Sequence, residues 1–288
     1  MEAELRSACE RGKEKKVRKL LTNSTINLNC RSRNLKLTPL HLACEKQHPN
    51  IIQLLLNDKR VDVNQADRDG ITPFYLACAQ NSSPAVKLLL KDTRVDVNKS
   101  QNDGTTPLIY AIENEYIEIV ELLLKDQRVD VNKADKNRAT PLIVAGEKGY
   151  LRVVKLLLMD KRIDVNKVDK GNRTIFYHAC GFGDINIVKE LLNDERVDIN
   201  KAKNDGLTPF MIACFNGHDE IIRYILASGR EVNLIAKDKD GKDAIDYAKK
   251  QKHLVIVGLL ESFKNNSKET RTKLRSQLGL GGNFNYLF

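Results

Sequence analysis

Apolar residues in this chain come in short bursts of two kinds. One is a compact cluster behind a Thr-Pro pair, as in Thr72-Pro73-Phe74-Tyr75-Leu76-Ala77-Cys78. The other, as in Ala85-Val86-Lys87-Leu88-Leu89-Leu90, sets apolar side chains three and four residues apart around a lysine. That spacing puts the apolar side chains on one face of an α-helix. Between Asp69 and Asn98 the pattern predicts a tight turn at Asp69-Gly70, a short helix from Pro73 to about Gln80, a break at Asn81-Ser82-Ser83, and a second helix ending near Lys91-Asp92. Thr72 can accept a hydrogen bond from a free first-turn amide, and Pro73 at the first helical position loses nothing by lacking its N–H. Gly70 supplies the positive φ of a projecting hairpin. Neither helix reaches the ~12 to 15 residues at which an isolated helix becomes marginally stable. Each pair must bury its apolar face against something outside itself.

The partner for that face is another copy of the same unit. Val61-Asp62-Val63-Asn64 returns at Val95, Val129, Ile163 and Val197, each copy 34 residues after the last. Thr38, Thr72, Thr106, Thr140, Thr174 and Thr208 keep the same step, and all but Thr174 precede Pro. Ala43, Ala77, Ala111, Ala145, Ala179 and Ala213 follow each Thr by five residues. Three markers in phase turn a length that would suggest about two ordinary domains into a copy number.

The run Thr38-Pro39-Leu40-His41-Leu42-Ala43, with a Leu-Leu pair and then Asp-Val-Asn behind it, resembles the ankyrin repeat. Tetratricopeptide repeats share the 34-residue step, but their Trp and Leu-Gly-x-x-Tyr landmarks are missing here. The resemblance covers residues 1 to about 264, as a terminal helix pair near residues 4 to 21, six full repeats, and a closing one from Asp240-Gly241. Residues 265–288 are left as a basic and then Gly- and aromatic-rich tail. The implied fold is all-α, an ankyrin-repeat solenoid of about eight stacked helix-turn-helix units with projecting β-hairpin loops.

Several positions depart from the family pattern. Most copies are one residue longer than usual and lack the Gly that closes the second helix, only Ser228-Gly229 keeping the shorter form, so the loop there should bulge in five successive repeats. Gly70, Gly104, Gly206 and Gly241 hold the turn register, but Arg138 and Asn172 occupy it in two middle copies, which predicts reshaped hairpins. The family's His survives only as His41, so its bond to Thr is expected there and little elsewhere. Thr174-Ile175 lacks the Pro, which marks the weakest seam. Ile175→Pro is expected to stabilise it by roughly 0.4 to 1 kcal/mol.

Composition narrows the function. With 41% hydrophobic and 30% charged residues and no Trp, the chain reads as a soluble fold of thin helical layers. It has no stretch of 18 apolar residues and opens on charged residues, so neither a membrane span nor a signal peptide is expected, and the cytoplasm is the expected compartment with the nucleus as alternative. No phosphate loop, His-Glu-x-x-His, Gly-x-Ser-x-Gly or Gly-x-Gly-x-x-Gly occurs, so neither catalysis nor a cofactor is expected. Cys44, Cys78, Cys180 and Cys214 share one register. Stacked repeats would hold them about 10 Å apart, too far for disulfides. With no Cys-x-x-Cys pair and scattered His residues, these cysteines read as small buried hydrophobes and no metal site is expected. His178 interrupts the apolar register of Leu42, Leu76, Tyr110, Val144 and Ile212 and reads as a hydrogen-bonded structural residue.

A net charge of +10 raises nucleic acid or an anionic membrane surface as a ligand. Arg60, Arg94, Arg128, Arg162 and Arg196 form one ladder, and Lys99, Lys133, Lys167 and Lys201 another. An Asp stands two residues before each Arg, which neutralises that ladder, and a ~10 Å rise per repeat mismatches the ~3.4 Å phosphate step. The leading expectation is therefore a monomeric protein-binding module acting as adaptor, scaffold or inhibitor, with the basic solenoid as alternative. In the family, partners usually meet the concave side. Carried over register by register, that side holds Ile71, Arg173 and Leu207 on the hairpins, and Gln80, Asn114, Lys148, Phe182, Phe215 and Asn216 behind the first helices. Phe182, Leu207 and Phe215 should join Tyr177 in one apolar patch rimmed by Arg173, Asn204 and Asn216, unless these rings pack into the groove between repeats. The apolar end, 278–288, is either a flexible terminus or a short segment that folds back on the last repeat or docks to a partner.

Overall fold

The computed structural model describes residues 1–280, among which there are 17 helices and no strand. They form two compact units, Met1–Val144 with Asp160–Ile163, and Ala145–Met159 with the chain from Asp164 onward. The first unit holds α1 (Glu2–Glu10), α2 (Glu14–Leu21), α3 (Pro39–Glu45), α4 (Pro49–Asn57), α5 (Pro73–Ala79), α6 (Ser83–Lys91), α7 (Pro107–Glu113), α8 (Ile117–Lys125) and the first turn of α9 (Pro141–Glu147). The second holds the rest of α9, α10 (Leu151–Met159), α11 (Ile175–Phe182), α12 (Ile185–Asn193), α13 (Pro209–Asn216), α14 (Asp219–Ala227), α15 (Ala244–Lys250), α16 (Leu254–Asn265) and α17 (Ser267–Gln277). Within each unit first helices pack on first helices, as α1 on α3 on α5 on α7 and α11 on α13 on α15, and second helices stack likewise.

Local chemistry starts each pair. Thr38, Thr72, Thr106, Thr174 and Thr208 are extended, and each hydroxyl accepts the amide three residues on, a cap of ~1 kcal/mol. At His41 the cap closes from both sides, with Nδ1 2.7 Å from the Thr38 hydroxyl and Nε2 3.0 Å from the Ile71 carbonyl. The Ala register is wholly buried, so small side chains let successive first helices approach closely. All six cysteines are buried and free. Burial pushes the Cys9 thiol up to about 12 and raises Cys44, Cys78 and Cys214 as well, which removes their nucleophilic thiolate at neutral pH.

The hairpins at Arg138 and Asn172 are not reshaped. Both residues take φ +60°, and their amides bond the carbonyls of Asp135 and Asp169 at 3.0 and 3.1 Å, as the Gly104 amide bonds Gln101. The turn is held by its Asp, since Asp135 Oδ1 accepts the amides of Asn137 and Ala139. Those bonds outweigh the left-handed conformation, which costs a side-chain-bearing residue ~1 to 2 kcal/mol.

The Val-Asp-Val-Asn marker has a mechanical role across repeats. Asn64 donates from Nδ2 to the Arg94 carbonyl at 2.7 Å and accepts the Asp96 amide at 2.8 Å, and Asn98 does the same to Arg128 and Asp130. The extra residue of the long unit is taken up by an extended Asp, as Asp92, whose carboxylate accepts both the amide and the guanidinium of Arg94. The same guanidinium reaches the Leu56 carbonyl at the end of α4, and Arg128, Arg162 and Arg196 reach Leu90, Leu124 and Leu158. Lys99, Lys133 and Lys201 donate to the carbonyls of Asn64, Asn98 and Asn166.

The basic stretch expected to trail as a tail is helical in part. Residues 267–277 form α17, packed on α14 and α16. Arg271 Nε donates to the Leu226 carbonyl at 3.1 Å and Arg275 to Ala227 at 3.2 Å. Leu226 stands 34 residues after Leu192, whose carbonyl Arg230 takes. Two charges of the expected tail thus supply the rung that a further repeat would have contributed. The apolar end from residue 281 lies outside the described residues.

Candidate interaction surface and the His178 cluster

Of the four residues expected in the apolar patch, one is largely exposed. Phe182, the last residue of α11, is 65% exposed. Tyr177 and Leu207 are 7% and 8% exposed and cannot serve as surface anchors. Tyr177 is the third residue of α11, in the register of His41, Tyr75, Ile109, Ile143 and Met211, all of them buried. Leu207 stands just before the Thr208 cap, where its equivalents Thr105 and Ala139 are also buried. Phe215 is half-buried and lies edge-on to Tyr247, with ring centroids 5.8 Å apart, so it packs into the groove between repeats.

The other expected residues divide between surface and scaffold. Gln80, Asn114 and Lys148 are exposed. Ile71 is half-buried and offers its carbonyl to His41. Asn216 is exposed but uses its Nδ2 on the Gly181 carbonyl at 2.8 Å. Arg173 turns back onto its own hairpin, with Nε 2.7 Å and Nη2 2.6 Å from Asp169 Oδ2.

Phe182 rests on a polar cluster. Its ring stacks on His178 at 5.8 Å with an interplanar angle of 25°. His178 Nε2 lies 3.1 Å from Asp169 Oδ2 and 3.4 Å from Glu147 Oε1. His178 and Asp169 are each only 4% exposed, whereas Glu147 stands at the end of α9 with its carboxylate partly in solvent. Burial lowers the His178 pKa against the opposing pull of the Glu147 charge and the Asp169 bond, which favours the neutral ring. With one proton to give, Nε2 donates to the nearer carboxylate, and the contact is a hydrogen bond rather than an ion pair. Burial pushes Asp169 up, but bonds from Arg173 and His178 outweigh it and leave its carboxyl below the ordinary range. A groove lined by residues 146–149 and 182–186 runs alongside.

Sequence spacing alone did not bring these residues together, because the three stand on three segments. Glu147 ends one first helix, Asp169 opens the next hairpin, and His178 lies within the following first helix. The signal was nevertheless present in the repeat register. Glu113 with Asp135 and Glu45 with Asp67 are the same pair one and three copies earlier, but the third position holds Val144 and Leu76 there. Only the copy at residue 178 adds an imidazole.

The family model of ankyrin repeats in three copies matches residues 5–101, 93–169 and 175–271, and the chain belongs to the ankyrin repeat family. No curated protein sequence matches it. Among solved structures it is similar to EF0377, an ankyrin repeat protein, with 27% identity and a TM-score of 0.62 over 70% of this chain and 98% of that one. The ankyrin repeat domain of Bcl-3, described as a unique member of the IkappaB protein family, shares the fold at 24% identity and a TM-score of 0.60, over 88% of this chain and 97% of that one. Domains of this fold generally mediate protein–protein interaction, and no helix among the described residues is long and apolar enough to cross a membrane.

Proposed function

We propose that the chain is a non-catalytic recognition module, an adaptor, scaffold or inhibitor working in the cytoplasm as a monomer, which docks a protein partner on the first-helix and hairpin surface of its second unit around Phe182. The observation that carries this reading is a large aromatic ring left 65% exposed although nothing in the stacking requires it there. Its equivalents Gln80, Asn114, Lys148 and Asn216 are polar, so water tolerates this register. Glu147 and Lys148 line the same groove as the ring, and an aromatic anchor in a polar rim is the usual composition of a binding hot spot. Nucleic acid is the weaker reading, because the Arg ladder is bonded to Asp carboxylates and backbone carbonyls, and three of the ladder lysines are also on carbonyls.

The test is Phe182→Glu in an affinity pulldown from native extract, run with and without nuclease. Truncating a hot-spot aromatic costs ~2 kcal/mol or more of binding. The variant should lose its recovered proteins while its Tm stays within a few degrees of the parent. Retained partners would move the docking surface elsewhere, and partners lost only after nuclease would favour the anionic-polymer reading.

A further inference from the structure

We infer that Glu147, Asp169 and His178 form a site for one divalent transition-metal ion of the zinc type. The inference does not depend on the partner-binding reading. It rests on the convergence of three ligand atoms of the right chemistry, one imidazole nitrogen and two carboxylate oxygens, all within 4.8 Å of one another. Zinc takes imidazole and carboxylate ligands at ~2.0 to 2.2 Å, which puts tetrahedral neighbours about 3.3 Å apart. The observed separations from Nε2, 3.1 Å to Asp169 and 3.4 Å to Glu147, already match that spacing. Three protein ligands leave a fourth position for water on the side where Glu147 meets solvent, the arrangement of an open rather than a closed zinc site.

The proton on Nε2 now sits where a cation would. Binding therefore exchanges that proton, released to solvent, for the metal, with no change of oxidation state. Asp169 is held in place beforehand by the amides of Gly171 and Arg173 on Oδ1. Arg173, itself partly exposed, bonds Oδ2 at 2.6 Å, and a group that orients a ligand carboxylate is a common outer partner of metal sites. Its positive charge also opposes the metal, so affinity should be moderate. The register supplies an internal control, since the Glu113 and Asp135 pair without an imidazole has only Val144 at the third position.

The experiment titrates the chelator-treated full chain with Zn2+ by calorimetry and with Co2+ by visible absorption. One equivalent should bind, with d–d bands for Co2+ and a chelator-reversible rise in Tm on Zn2+, because a ligand held only by the folded state stabilises it. Glu147→Gln, at the exposed end of the cluster, and His178→Gln should each weaken binding by ~10-fold or more. Arg173→Gln should tighten it by removing the competing cation. Absence of saturable one-to-one binding overturns the proposal, as does binding that Glu147→Gln leaves unchanged while the metal-free Tm of that variant equals the parent's.

Discussion

The hairpin and first helix at Asp135–Val144 in the first unit and those at Asp169–His178 in the second share a backbone but not a chemistry. Each hairpin is closed by an Asp whose Oδ1 gathers two or more backbone amides, and each places a non-Gly residue at φ +60°. In the first, the residue nine positions after the Asp is Val144, which is buried and apolar. In the second it is His178, and the spare Asp oxygen gains a guanidinium and an imidazole. The last repeat shows a third solution, where the Tyr247 hydroxyl bonds Asp238 at the same offset of nine. The scaffold thus fixes where the Asp stands and leaves its second oxygen free for whatever the local sequence supplies. Function in a repeat protein is written in such departures, because the repeated positions are already committed to stacking.

Removing the Asp should separate the two hairpins most. Asp169→Ala strands a buried His178 and releases Arg173, and should cost roughly 3 kcal/mol, whereas Asp135→Ala loses amide bonds alone and should cost about 1 to 2 kcal/mol. Equal losses in denaturant titrations would show that the imidazole and guanidinium add nothing.

The helix starts differ next. Ile175 is fully buried, and a Cβ on Gly146 would stand 2.7 Å from its Cγ1, so the missing Pro is compensated by a missing side chain in the preceding repeat. The expected gain from Ile175→Pro is therefore reversed. The variant should lose about 1 to 3 kcal/mol through the gap beside Gly146. Gly146→Ala in the same chain should recover part of that loss, a coupling that a double-mutant cycle reads directly.

The turn residues offer a smaller contrast. Arg138→Gly should stabilise by up to ~1 kcal/mol, since Arg bears the left-handed penalty while Gly escapes it at some entropic cost. Asn172→Gly should change stability by about half of that or less, because Asn tolerates this conformation. A Tm rise for Asn172→Gly equal to that for Arg138→Gly would contradict the account.

The smallest effect should be the same in both units. Hydrogen bonds from Arg128 and Arg196 hold Asp126 and Asp194 below the ordinary carboxylate range. A lowered folded-state pKa contributes stability that is present above the unfolded value of ~3.9 and is lost as pH falls through the folded value. Arg128→Gln and Arg196→Gln should each make the loss between pH 5 and 3 shallower, by under about 1 kcal/mol given the solvent around both guanidinium groups. A difference between the two variants would mean that the ladder is not equivalent along the chain.

Period, helix starts and the burial of the Ala and Cys registers were legible in the residues because they follow from local rules. A Thr caps the amide three residues away, and a 34-residue step repeats the result. The functions of Asn64, Arg94 and Arg271 were not legible, because each bonds a backbone carbonyl some 30 to 45 residues away, which only the stacking register brings within reach. The same holds for the burial of Tyr177 and Leu207, for the match of Ile175 to Gly146, and for the meeting of Glu147, Asp169 and His178. Sequence by itself determined the unit and its copy number, through hydrogen bonds and helix periodicity that span a few residues. Tertiary structure alone decided which side chains face a neighbouring repeat and which face water, because that depends on how one unit sits on the next.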